Sequence, residues 1–246
     1  MRALYIKEIR SFLSSIIGYV FILIFLITSG LFHWIISSGD LQTNLLEGTE
    51  ADMIPFFNLA PVIFLVLIPA ITMRSIAEER RTGTIELLFT RPISDLKILL
   101  AKYFAGVTLL IVALIPTLIY YISMYNLGSP VGIIDGGATF TSYMGLILLG
   151  ATFVAIGIFA STLTSSQIVA FILAMFLCWL FYTGLDLLGS FSLMGSFDSI
   201  IKSAGMTYHY DGIKRGVVDS KNVIYFLSMI TLFIFGALTV IKSLKR

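Results

Sequence analysis

Residues able to do chemistry are few and scattered in this chain. The two histidines, His33 and His209, lie on different segments, and the lone Cys178 lies in an apolar run. No set of His, Cys, Asp and Glu has the spacing of a zinc or calcium site. No serine, histidine and aspartate share a context that would support nucleophilic catalysis. The phosphate-cradling loop G-x-x-x-x-G-K-[ST] occurs nowhere, so if ATP drives this protein another chain hydrolyses it. His33 beside Trp34 reads as an interfacial residue, His209 between Tyr208 and Tyr210 likewise, and Cys178 as core rather than a copper ligand. The one dense constellation is electrostatic. Between Arg74 and Tyr103, the residues Arg74, Arg80, Arg81, Arg91, Lys97 and Lys102 stand against Glu78, Glu79, Glu86 and Asp95. Charges of both signs packed this densely suit docking of a soluble partner rather than bond making or breaking.

Elements must position that island. Ile85, Leu88 and Phe89 fall on one helical face, with Arg81 and Glu86 off it. Pro92 ends this short helix, because it has no N–H to donate and its ring clashes with the preceding turn. Ser94 can cap a second helix, with Asp95 in the first turn where the dipole favours negative charge. The island thus reads as a short amphipathic helix, a bend and a re-entry into an apolar run.

The apolar runs set the class. Of 246 residues, 58% are hydrophobic and 12% charged, and the mean hydropathy is +0.98. Soluble domains carry about a quarter of their residues as charges, so the excess apolar surface must face lipid. Six runs are long enough to cross roughly 30 Å of hydrocarbon as helices of about 20 residues. They are 16–37, 55–73, 104–125, 142–163, 167–188 and 223–241. The expectation is an all-α membrane protein with six transmembrane helices in one domain, 1–246. Residues 1–15 form an interfacial helix, with Tyr5, Ile9 and Phe12 on one face. Residues 74–103 form a charged cytoplasmic region between the second and third spans, and 189–222 an extracytoplasmic segment before the last span. The first run is too long for the apolar part of a cleaved signal, so it is read as a retained span. The lone cysteine excludes an internal disulfide.

Orientation follows from Lys and Arg. With an even number of spans, Arg2, Lys7, Arg10, the basic residues of the island, Lys242, Lys245 and Arg246 share one side. Lys202, Lys214, Arg215 and Lys221 lie on the other, beside the acidic loop of Asp40, Glu47, Glu50 and Asp52. Both termini and the island are therefore expected in the cytoplasm. Pro61 and Pro69 in the second span and Pro116 in the third should loosen their helices. In the fourth span Ala151 with Ala155, and Gly157 with Ser161, form a small-residue seam, serving packing within the subunit or a dimer contact. Thr164 to Ser166 is long enough to reverse two helices and no more. The outer segment admits two readings, a docking site for an outer partner through Tyr208, His209, Tyr210, Lys214 and Arg215, or a packed cap over the helix ends. Charge within the spans marks ion paths. Here it is nearly absent, since Asp186 and Asn58 lie near span ends, which disfavours an ion-coupled carrier.

The island after the second span reads E-E-R-R-T-G-T-I-E-L-L-F-T-R-P-I-S. With six spans, a basic N-terminal helix and no ATPase loop, it resembles the permease subunits of ABC-2 type transporters over the whole chain. That resemblance implies that the island is a coupling helix fitting a cleft on a separate ATP-binding subunit. Its contact residues would be Glu78, Glu79, Arg80, Arg81, Gly83, Thr84, Ile85, Glu86, Leu87, Leu88, Pro92 and Ser94. Thr164 and Ser165 would make the smaller second contact. Within the family, the stretch 208–219 leading to Tyr225–Ser228 is similar to the gliding-motility-associated, GldF-like permeases. It is less similar to the permease of the copper-delivery system for nitrous oxide reductase. The gliding likeness implies a GldA-like ATPase carrying ATP and Mg, a GldG-like accessory membrane subunit and a second permease half, as homo- or heterodimer. It also implies residence in the inner membrane. No cofactor on this chain, no catalytic residue and no nucleic-acid partner are expected. The competing classes are an ATP-independent carrier and a structural membrane anchor of a larger machine.

Overall fold

A computed structural model describes residues 2–36, 44–45, 52–84, 94–190 and 196–245. Among them there is no strand. Six helical stretches are long and apolar enough to cross a membrane: Ile16–Trp34, Ile54–Arg81, Asp95–Leu127, Gly136–Leu163, Gln167–Ser190 and Ser220–Leu244. They are called the first to sixth spans below. The chain is an all-α, multi-pass membrane protein.

The fourth span is the axis of the bundle. In its most apolar stretch 78% of the residues are buried, against 28% for the first span and 22% for the fifth. Small side chains explain why. A Cβ on Gly157 would lie 2.0 Å from Thr72 Oγ1 of the second span. One on Gly145 would lie 2.4 Å from Ile213 Cγ2 in the outer segment. Ala151, Ala155 and Ser161 are buried beside them. Without hydrophobic drive between helices in lipid, close backbone approach of this kind supplies the packing. The seam serves packing within the subunit.

The prolines act differently from one another. The second span runs as one α-helix from Ile54 to Thr72 through Pro61 and Pro69. Thr72 Oγ1 donates back to the carbonyls of Ile68 at 2.9 Å and Pro69 at 3.3 Å, which fixes its rotamer. In the third span, the α-helix Asp95–Leu114 gives way to a 3₁₀ turn, Ile115–Thr117, before resuming at Leu118–Leu127. There Tyr143 of the fourth span donates its hydroxyl to the Thr117 carbonyl at 3.1 Å. The fifth span holds a π-helical turn, Leu180–Gly184, which no proline marks.

One end of the bundle gathers the N-terminal helix Arg2–Ser14, the start of the island, the 164–166 turn and the C-terminal tail. The N-terminal helix has no fully buried residue, but Tyr5, Glu8, Ile9 and Phe12 are half-covered on one side. That side faces the third span, where the Tyr5 and Thr108 hydroxyls meet at 2.8 Å. Lys245 closes the same end with an ion pair to Asp95 at 2.5 Å.

At the opposite end His33 departs from the interfacial reading. It is wholly buried, with Nδ1 2.5 Å from the Ser29 carbonyl and its ring near Phe56 and Tyr120. Aromatic rings on the second and third spans, far away in sequence, close over it. Cys178 is buried core, as expected.

Candidate functional site

The charged island begins as a tether. Ile76 and Ala77 are buried, and the five-residue helix Ala77–Arg81 ends the second span. Glu78 and Glu79 fall in its first turn and Arg80 and Arg81 in its last, each at the helix end whose partial charge favours it. Thr82 closes the helix through its hydroxyl, which donates to the Glu78 carbonyl at 2.9 Å. Gly83 then adopts φ of 71°, a left-handed conformation that glycine takes without strain.

The charges are not alike in surroundings. Arg74 forks onto Glu78, with Nε–Oε2 at 3.1 Å and Nη2–Oε1 at 3.4 Å. Lys102 of the third span is the buried cation, its side chain 4% exposed. Its Nζ donates to Glu79 Oε1 at 2.7 Å and to Glu8 Oε1 at 3.3 Å. Three elements, namely the island, the third span and the N-terminal helix, thus meet at one ammonium. Arg80 reaches the other way and donates from Nη1 to the Thr162 carbonyl at 2.6 Å. That carbonyl is at the C-terminal end of the fourth span, where helix carbonyls lack internal partners and the dipole is negative. The arginine thereby fastens the island beside the 164–166 turn. In that turn Thr164 is half-buried, Ser165 is exposed, and Thr164 Oγ1 accepts from Ser166 N at 3.1 Å.

Placement sorts the candidate contact residues. Arg81, Thr82, Gly83 and Thr84 are exposed. Glu78, Glu79 and Arg80 are half-buried and spend their polar atoms inside the protein. Ile85, Glu86, Leu87, Leu88 and Pro92 lie outside the described residues, as does the amphipathic helix expected there. Ser94 sits at the N-cap of the third span without a side-chain cap bond. From the sequence, Lys102 counted only as one of the island's charges, and Glu8 and Thr162 carried no role. Lys102 carried one usable signal, a lysine seven residues into a span's helix with acidic residues on the N-terminal segment and on the island.

A groove of about 260 Å³ runs between the N-terminal helix and the island, floored by Lys102 and edged by Lys7, Ser11, Arg74, Glu78 and Thr84. No group of three or more His, Cys, Asp or Glu able to hold a metal occurs among the described residues.

At the opposite end the outer segment folds as two helices, Ser196–Ala204 and Met206–Ile213. Met206, Tyr210 and Ile213 point into the bundle and are buried. Tyr210 donates to the Phe57 carbonyl at 2.8 Å, and burial pushes its hydroxyl pKa well above the ordinary value, keeping the donor protonated. His209 stacks on Tyr225 at 3.9 Å, with Nδ1 2.8 Å from Asn222 Oδ1 and Nε2 2.9 Å from the Ser203 carbonyl. Lys214 pairs with Asp211 at 2.6 Å. Tyr208, by contrast, is 60% exposed. The segment packs on the bundle through Tyr210 and His209, while Tyr208 and Arg215 remain exposed.

Residues 2–243 match the family model described as ABC-2 family transporter protein. Among curated proteins, none matches the chain.

Proposed function

Because the chain belongs to the ABC-2 family of transporter proteins, we propose that it is the permease subunit of such a transporter, worked by ATP hydrolysis on a separate ATP-binding cassette subunit. One observation supports this reading most. The Arg80–Thr162 bond joins the island to the end of the fourth span, bringing two separate loop contacts into one docking surface. An ATPase seated on Arg81–Thr84 and Ser165 would push on the second, third and fourth spans together. The cytoplasm holds that surface and both termini, and the membrane is the inner one; the clustering of Lys and Arg supports this orientation. A second permease half completes the conduit. ATP and Mg sit on the ATPase, and this chain binds no cofactor.

The likeness of 208–219 to gliding-motility-associated permeases supports a narrower assignment. The transporter would then serve a gliding complex, with a GldA-like ATPase and a GldG-like accessory subunit.

Purification of the tagged protein in mild detergent tests the reading. A Mg-dependent ATPase should copurify, and Arg81→Glu should release it without loss of the folded permease. Failure of any ATPase to copurify, with cellular function surviving inactivation of the ATPase, overturns it in favour of a carrier or an anchor. Loss of gliding on deletion tests the narrower assignment.

A further inference from the structure

We propose that Lys102 is a positioning residue that makes the N-terminal helix and the first span move with the island. The inference rests on the permease reading above and adds a second output to it. Covalent linkage alone would carry motion of the island into the second and third spans. The first span has no covalent joint to the island, and only 28% of its most apolar stretch is buried.

Lys102 supplies an ionic link at this end, beside the Tyr5–Thr108 hydroxyl contact. Its ammonium holds Glu79 on the island and Glu8 on the N-terminal helix at 2.7 and 3.3 Å. The side chain is 4% exposed, and those of Glu79 and Glu8 are 20% and 14% exposed. In such a place, separating either carboxylate leaves charge that water cannot readily solvate. Displacing the island therefore draws Glu8 along rather than letting it go.

The N-terminal helix is in turn rigidly joined to the first span by one residue, Ser15. Ser15 N and Oγ both donate to the Phe12 carbonyl, at 3.3 and 3.1 Å, and Ser15 Oγ accepts from Gly18 N at 3.4 Å. A Cβ on Gly18 would lie 2.1 Å from the Phe12 carbonyl oxygen, so the elbow is closed tight. Rotation of the N-terminal helix is thereby delivered to the first span.

Paired spin labels on the permease with its ATPase in lipid nanodiscs test this. Cys178 is buried and stays unlabelled, so cysteines at exposed Ser14, Lys97 and Ser243, all away from the proposed ATPase seat, suffice. In the parent, the Ser14–Ser243 distance should shift on ATP trapping while Ser14–Lys97 holds constant. Lys102→Arg should preserve both results. Lys102→Met would strand two carboxylates, so the clamp is opened with Glu8→Ala, which leaves Lys102 paired with Glu79. That variant should still bind the ATPase and hydrolyse ATP, but the Ser14–Ser243 shift should be lost and Ser14–Lys97 should change instead. A shift that persists in Glu8→Ala, or a Ser14–Ser243 distance insensitive to ATP in the parent, overturns the clamp and leaves the permease reading standing. Absence of a bound ATPase from the parent overturns the permease reading, and the clamp with it.

Discussion

Single atoms decide how tightly the centre of this protein can close. At Gly157 a Cβ would meet Thr72 Oγ1 at 2.0 Å and Thr72 Cβ at 2.8 Å. Both helices are buried there, and Thr72 is held by its bonds to the Ile68 and Pro69 carbonyls, so it cannot swing away cheaply. Gly157→Ala gains up to about 1 kcal/mol of helix propensity. Overpacking a close-packed interior costs about 1–3 kcal/mol, and with the clash this short the steric cost wins. The variant should therefore unfold at lower temperature than the parent in detergent. Adding Thr72→Ala should recover part of the loss, because it removes Oγ1, the nearest atom, and leaves the Cβ contact at 2.8 Å. A Gly157→Ala protein of unchanged thermal stability would show that the second and fourth spans are not in contact here. The small-residue spacing of this seam was visible in the sequence, but its partner was not, because Thr72 lies 85 positions away. Lys102 was hidden for the same reason, its carboxylates being 94 and 23 residues distant.

Whole elements were the most legible. Each span declares itself by twenty or so apolar residues, a signal that needs no knowledge of neighbours. Proline was only partly legible. Its missing N–H and clashing ring forecast weakness at Pro61, Pro69 and Pro116 alike, yet only Pro116 converts its helix to a 3₁₀ turn. The π turn at Leu180–Gly184 has no residue signature of comparable strength. Pro116 is where an element-scale experiment has most to say. Thr117 Oγ1 donates back to the Leu114 carbonyl at 2.7 Å, and the Thr117 carbonyl takes the Tyr143 hydroxyl, so the turn is held in place. Pro116→Ala restores an N–H able to reach the Val112 carbonyl. It also removes a residue disfavoured by about 3 kcal/mol in helix interiors. Thermal stability should rise, while ATP-driven transport should fall as the third span loses its bend, the usual exchange where function needs a weakened element. Raised stability with undiminished transport would assign the bend a merely architectural role.

At the scale of the molecule, the two ends have opposite characters. One carries the N-terminal helix, the island and the C-terminal tail, tied by Lys102–Glu79, Lys102–Glu8, Arg80–Thr162 and Lys245–Asp95. The other is a cap of short helices whose buried Tyr210 and stacked His209 pin it to the second and sixth spans. Among the described residues, the first end has connected routes into the spans, and the second packs its short helices onto them. This polarity requires that Thr82 and Val217 lie across the membrane from each other, both exposed and neither in a span's apolar stretch. With Cys178 buried, single cysteines at the two positions report it without background. In intact cells, a membrane-impermeant maleimide should label Val217→Cys and leave Thr82→Cys untouched. In inverted vesicles the pattern should reverse. Saturation with the ATPase subunit should then slow labelling at Thr82→Cys, because that position belongs to the surface proposed to receive it, while labelling at Val217→Cys stays unchanged. Labelling of Thr82→Cys from outside intact cells would place the island away from any source of ATP and remove the basis for coupling.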